Sequence, residues 1–263
     1  MLQFAANLSL LFADRPFLDR FAAAAGAGFR AVEFQFPYAW SAEEIAERQA
    51  AAGVAVVLHN LPAGNWEAGE RGIACHPDRI AEFQDGVGRA LAYAGGLDCP
   101  RLNCLAGIPP SQVGIETARR TLVENLRFAA RALAAENRQL LVEPINTRDI
   151  PGFLIARSDD ALRLLDEVGE PNLAIQYDIY HAQRMEGELA GTLASLLPRI
   201  GHIQLADNPG RHEPGTGEIN FTWLLPRLDS LGYEGWIGCE YHPATSTEAG
   251  LGWLQPFFAN APG

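Results

Sequence analysis

The 263-residue chain contains no lysine; all twenty of its basic residues are arginine. Schiff-base aldol chemistry, a lysine-based phosphate loop and any isomerisation that needs an ammonium group are excluded on that ground alone. Biased genomic base composition accounts for the replacement, and the chemical exclusion holds whatever its cause. No stretch approaches the ~18 consecutive apolar residues that a membrane span requires, so no membrane partner is expected. The first residues, MLQFAANLSLLFADR, lack a basic segment and carry Asn7 and Asp14, which argues against a signal peptide. Cysteine is scarce: Cys75, Cys99, Cys104 and Cys239 show no CxxC spacing, so reduced and mostly buried thiols are expected. Positive charge is in deficit, 20 basic against 32 acidic residues and a net charge of −12, which argues against a nucleic-acid partner. HExxH and GxSxG are absent. A cytoplasmic protein that handles small molecules fits these exclusions. Its assembly as a homo-oligomer stays open.

Apolar content of 48% supports a substantial core. No linker, charge run or low-complexity segment interrupts the chain, so residues 1–263 read as a single domain. A weak repeat runs through it. An Ala/Leu/Arg-rich helical stretch is followed by a Gly or Pro turn and then a short apolar run that ends in a polar residue. The runs are QFAANLS, AVEFQ, VAVVLHN, RLNCLAG, LLVEPIN, LAIQYDIYH, HIQLAD and WIGCEYH. Helices are expected near Arg15–Gly26, Ala42–Gly53, Pro77–Gly95, Gln112–Asn137, Asp159–Val168, Glu186–Leu197, Phe221–Leu231 and Thr247–Phe257. Eight such units predict an α/β fold, a (β/α)8 TIM barrel, with an open doubly wound sheet as the alternative. Gly26–Ala31 matches GxGxxA, but it ends a helix and opens a strand, the reverse of a dinucleotide fingerprint. It reads as a helix cap and turn.

The barrel gives the polar strand ends their meaning, because such barrels carry their sites at the C-terminal ends of the strands. In LLVEPIN an apolar run, Leu140 to Val142, leads into Glu143 and stops at a proline. A carboxylate there is costly unless something compensates it. Asp178, Gln204 and Glu240 end the next three strands. Structural pairing with arginine is the alternative for each one, but four on consecutive strands favour a shared cation. Three carboxylates and an amide oxygen suit Mg²⁺ or Mn²⁺. The outer pair, Glu143 and Glu240, are the expected proton carriers. His181, three residues past Asp178, is expected to bind a substrate oxygen, and His59 at the third strand end is a further substrate-binding candidate. His202 lies deeper than Gln204 and is expected to support it. The loops Leu61–His76 and Asn208–Asn220 are long enough to cover substrate. Arg71 in the first loop, then Arg211 and Arg148, are the candidates for gripping an acidic substrate.

The segments EPINTRDIPGF, DIYHAQ, GHIQLADNPGRHEPGTGEINF and the GNWEAGERG loop together resemble the hydroxypyruvate isomerase family of xylose-isomerase-like barrels. The resemblance covers essentially the whole chain, and 202–221 is its most specific part. It implies an intramolecular isomerase acting on hydroxypyruvate or a 2-oxotetronate. It places the catalytic glutamates on Glu143 and Glu240 and the metal positions on Glu143, Asp178, Gln204 and Glu240. Related ketose epimerases have a histidine where Gln204 stands. Xylose isomerases proper shift a hydride with a lysine nearby, so the absence of lysine favours proton transfer through an enediolate. The competing readings are a ketose 3-epimerase on neutral sugars, a non-catalytic sugar-acid-binding barrel, and an endonuclease IV-like phosphodiesterase. Six histidines and a charge of −12 speak against the last.

Overall fold

Local signals set the elements. Ser41 caps the second helix in a reciprocal box with Glu44, and Gly53 (φ 65°) closes it. Ala161, Leu164, Leu165 and Val168 form one buried stripe on the fifth, which Gly169 (φ 72°) ends. The computed structural model describes residues 1–258. Its strands are β1 (Gln3–Asn7), β2 (Ala31–Phe34), β3 (Ala55–Asn60), β4 (Arg101–Cys104), β5 (Gln139–Val142), β6 (Leu173–Asp178), β7 (Ile200–Leu205) and β8 (Trp236–Cys239). They lie in chain order, all parallel, and β8 closes on β1. The helices between them are α1 (Arg20–Gly26), α2 (Ala42–Ala52), α3 (Ile80–Leu97), α4 (Ile115–Ala134), α5 (Ser158–Val168), α6 (Ile179–Met185), α7 (Leu189–Leu196) and α8 (Phe221–Ser230). Two short helices, α9 (Thr247–Gly250) and α10 (Gln255–Phe258), follow β8. The fold is the closed (β/α)8 barrel that the repeat predicts, not the open sheet. Gly26–Ala31 does end α1 and open β2, with Gly28 at φ 97°. All four cysteines are free and buried. No described helix is long and apolar enough to cross a membrane.

One expected boundary is corrected. The strand read through His181 stops at Asp178, whose side chain accepts the Tyr180 N–H at 2.8 Å and caps α6. His181 therefore sits on a helical turn. The helix expected over Glu186–Leu197 is the shorter α7.

The main core lies between barrel and helices. A second cluster, Ala5, Ala31, Val57, Leu58, Leu141 and Ala174, fills the barrel interior. Small residues there make room. A Cβ on Gly201 would lie 2.6 Å from Leu141 Cδ2, and one on Gly238 would lie 2.3 Å from the Glu33 carboxylate oxygens. Between β2 and β3 the register shifts: Val32 pairs with Val56 but Glu33 pairs with Leu58. The extra residue turns the following side chains to the opposite faces.

The loop after β7 is built on Asp207. Its Oδ1 accepts the N–H groups of Asn208 (2.9 Å) and Ile219 (3.0 Å), and its Oδ2 those of Gly215 and Gly217 (2.9 Å each). Gly217 is obligatory there, since its Cβ would lie 2.1 Å from the Asn208 carbonyl oxygen. His242 N–H donates to the Arg211 carbonyl at 2.9 Å and ties the loop to the end of β8. Asp207→Ala leaves four amides without their acceptor. It is expected to lower stability by roughly 2–4 kcal/mol in denaturant unfolding, with the barrel's far-ultraviolet signal retained. A loss below about 1 kcal/mol would show that water replaces the carboxylate without penalty.

Candidate active site

Strand ends around most of the barrel and one loop deliver the polar groups of the mouth. Glu143 follows β5 directly, and Pro144, with no N–H to donate, ends the ladder there. Its Oε2 accepts Asn103 Nδ2 from β4 at 3.0 Å. Asp178 ends β6, in register with Gln204 on β7. Glu240 follows β8. Its Oε1 accepts Asn7 Nδ2 (3.1 Å) and Gln35 Nε2 (3.0 Å), and its Oε2 accepts Arg211 Nη2 (2.8 Å). The same Arg211 nitrogen lies 3.4 Å from Asp178 Oδ2. His181 Nε2 lies 3.6 Å from Asp178 Oδ2 and 3.7 Å from Glu143 Oε1. A continuous polar path thus runs Glu143–His181–Asp178–Arg211–Glu240, every member but Arg211 buried.

Burial of these groups distorts their proton affinities. The Glu143 carboxyl is raised well above its ordinary range, chiefly by burial and then by Glu240 and Asp178. Burial also pushes Asp178 up to about 7; Arg211 opposes the shift and Glu240 adds to it. Glu240 is raised by burial, with Arg211 opposing. Burial works against the Arg211 cation, but Glu240, Asp178 and Glu143 outweigh it.

The protonation of His181 follows from its neighbours. Asn146 Oδ1 accepts the backbone N–H groups of Arg148 (3.1 Å) and Asp149 (2.9 Å), which fixes its amide. Asn146 Nδ2 then donates to His181 Nδ1 at 2.6 Å and to Asp149 Oδ2 at 3.0 Å. Burial, with Arg211 and Arg184 nearby, pulls the His181 pKa well below its usual value. The ring is neutral, Nδ1 accepts, and the proton sits on Nε2, facing the carboxylates.

Glu143 and Asp178 bring carboxylate oxygens together beside His181, all within 4.8 Å of one another, and with His181 Nδ1 taken by Asn146 and Nε2 protonated the oxygens are the groups free to ligate. The oxygen-rich surroundings fit a hard divalent cation. Among the described residues, only one guanidinium, that of Arg211, contacts these carboxylates directly.

The remaining candidates fall elsewhere. His59 is outside the mouth. The register shift between β2 and β3 pairs it with Phe34, and its fully buried ring lies 6.2 Å from the Phe34 ring, with Tyr38 edge-on at 6.3 Å. Phe34 in turn packs on Phe17 and Phe21 of the helical layer. Burial lowers the His59 pKa to about 4. Its expected substrate role is withdrawn. Arg71 is held on its own loop, 4.1 Å from the Trp66 ring centroid and donating to the carbonyls of Trp66 and Glu70. Arg148 donates to the Arg184 carbonyl on the protein surface. His202 lies below Gln204 as expected, 2.6 Å from Glu33. Glu33, Asn7, Gln35, Asn103 and Asn146 have no role in the sequence reading, although each stands at or just beyond a strand end. What hides the four amides is that an amide signals no chemistry until its partner is known, and Glu33 is hidden because its partners, Gln204 and His202, are distant in the chain.

The xylose isomerase-like TIM barrel family matches residues 21–257. A hydroxypyruvate isomerase of Escherichia coli (strain K12) is 54% identical over 257 residues, covering 98% of this chain and 100% of the relative. A 2-oxo-tetronate isomerase of Cupriavidus necator is 50% identical, covering 98% and 99%. A solved structure from Brucella melitensis, described as an AP endonuclease, family 2, has a TM-score of 0.95 at 45% identity, covering 98% and 99%.

A carboxyl whose pKa is raised on folding stabilises the fold below its unfolded value and loses that contribution as pH climbs through the folded value. For Asp178 that window runs from 3.8 to about 7. His59 and His181, both lowered, act in the opposite sense, and their contribution is complete above 6.5. Above that pH the carboxyls alone set the slope. Chelator-treated protein is expected to lose stability as pH rises from about 6.5 through about 7, at a slope on the order of 1 kcal/mol per pH unit. A flat or rising stability curve would contradict the burial of ionised carboxyls in this mouth.

Proposed function

The chain belongs to the xylose isomerase-like TIM barrels, in the family of hydroxypyruvate and 2-oxo-tetronate isomerases, and is an isomerase; we propose that it interconverts a small 2-oxo acid, hydroxypyruvate and tartronate semialdehyde or a 2-oxotetronate pair, by proton transfer between Glu143 and Glu240. The observation that carries this reading is the polar path itself. Two buried carboxyls with raised proton affinity, Glu143 and Glu240, sit at its ends, and a histidine, an aspartate and an arginine lie between them.

Hydroxypyruvate becomes tartronate semialdehyde when one proton leaves C3, one arrives at C2, and the hydroxyl and carbonyl oxygens exchange roles through an enediolate. One glutamate, ionised, takes the C–H proton; the other, protonated, delivers a proton to the neighbouring carbon. Burial raises the proton affinity of both carboxyls, which favours the protonated form that delivering a proton requires. His181 Nε2–H donates to a substrate oxygen. Arg211, already at the carboxylates, grips the substrate's own carboxylate, whereas Arg71 would have to leave its contacts on Trp66 and Glu70 to reach it. Glu143, Asp178, Gln204 and Glu240 would hold a divalent ion, Mg²⁺ or Mn²⁺. When bound, that ion supplies a Lewis acid that stabilises negative charge on the substrate oxygens.

A ketose 3-epimerase would use a similar carboxylate pair on a neutral sugar, with less demand for an arginine at the mouth. Glu143→Gln and Glu240→Gln are each expected to lower kcat on hydroxypyruvate by roughly 10²–10⁴-fold. Near-normal turnover in either variant would remove that glutamate from the mechanism. Wild-type activity on fructose or tagatose but not on the oxo acids would favour the epimerase.

A further inference from the structure

Glu33 is a carboxylate that the proposed reaction leaves unused, although it is fully buried inside the barrel. Three groups converge on it. Gln204 Nε2 (2.7 Å) and Asn7 Nδ2 (2.8 Å) both donate to Oε1, and His202 Nε2 lies 2.6 Å from Oε2. The orientation of Asn7 is set separately, because its Oδ1 accepts the Ser9 N–H at 3.1 Å. Its Nδ2 therefore has to face carboxylates, and it bridges Glu33 and Glu240. Whichever of Glu33 and His202 holds the proton between them, Oε1 accepts from both amides. Gly238 leaves the space this carboxylate fills.

The consequence falls on Gln204. A primary amide has two ends of nearly equal shape, and only its oxygen can ligate a cation. Gln176 Nε2 donates to Gln204 Oε1 at 2.6 Å, but among the described residues the Gln176 Oε1 is buried with no hydrogen-bond partner. Gln176 is therefore free to take either orientation and cannot dictate that of Gln204. Glu33 can, since it accepts Nε2 from below.

We propose that Glu33 is a positioning residue: by taking Nε2 of Gln204 it settles that the other end of that amide, the Oε1 that accepts Gln176 Nε2, is the oxygen Gln204 has to offer a cation beside its register partner Asp178, and through Asn7 it steadies Glu240. Gln204 thereby serves as a cation ligand with a defined donor atom, which an unsupported amide lacks. The inference rests on the reading of Gln204 as a ligand.

The test is Mn²⁺ titration by calorimetry on the chelator-stripped full-length protein, with thermal unfolding as the fold control. Glu33→Gln, which offers Gln204 either a donor or an acceptor, is expected to weaken Mn²⁺ binding roughly 10–100-fold, the usual effect of removing a group that orients a metal ligand. In a Gln204→Ala background the same substitution should cost less than a third as much on the logarithmic scale, because the group it orients is gone. A merely structural role for Glu33 would cost the same in both backgrounds, and that result overturns the proposal. Wild-type Mn²⁺ affinity in Glu33→Gln overturns it too. If Glu33→Gln fails to fold, Glu33→Asp carries the same test, since it keeps the charge but shortens the reach. If the wild type takes up no Mn²⁺, or Gln204→Ala binds it normally, the ligand assignment falls and the inference falls with it. If Gln204→Ala weakens binding and Glu33→Gln does not, the inference alone falls.

Discussion

Glu143, Asp178 and Glu240 share one buried mouth, and Arg211 is the guanidinium that faces two of them. Charge of one sign withdrawn from water without full compensation is among the least favourable arrangements a protein can hold. Much of the surrounding architecture answers to it. Asn103, Asn7 and Gln35 donate to the carboxylates; Asp207 stiffens the loop that brings Arg211; Asn146 fixes which nitrogen His181 turns towards them. Even so, Glu143 and Asp178 hold protons far above their ordinary range. Such a site would gain from a proton or a divalent cation, and both are what an enediolate reaction between two glutamates would use.

The polar ladder continues downward. Beneath the carboxylates and Gln204 lies a second layer, Glu33, His202 and Gln176, and beneath that the apolar plug of Ala5, Ala31, Leu141 and Ala174. The small residues of the plug and the glycines at 201 and 238 let large polar side chains occupy a barrel interior that usually holds branched apolar ones. The chain thus builds its site from inside the barrel outward, with each layer orienting the one above.

Much of this was legible in the sequence. Helix–turn–strand repetition gave the barrel, and polar residues at the ends of successive strands gave Glu143, Asp178, Gln204 and Glu240 as neighbours. What failed did so for identifiable reasons. A one-residue bulge at β2–β3 sent His59 to the helical layer, and a bulge leaves no mark in an apolar run such as VAVVLH. The DIYH segment reads as strand by composition, but Asp178 caps a helix there, a tertiary choice that propensity does not foresee. Glu33 was visible and unassigned, because its meaning depends on Gln204, 171 residues away.

Proton transfer between two different carboxyls would draw the delivered proton from solvent, and a solvent isotope reports on that most directly. Hydroxypyruvate incubated with the enzyme in D₂O and followed by proton NMR is predicted to yield tartronate semialdehyde carrying one solvent deuteron at C2, since the delivering glutamate exchanges with water before it acts. Product that retains the substrate's own hydrogen at C2 would mean a hydride shift or a single shielded base, and would contradict the relay between Glu143 and Glu240.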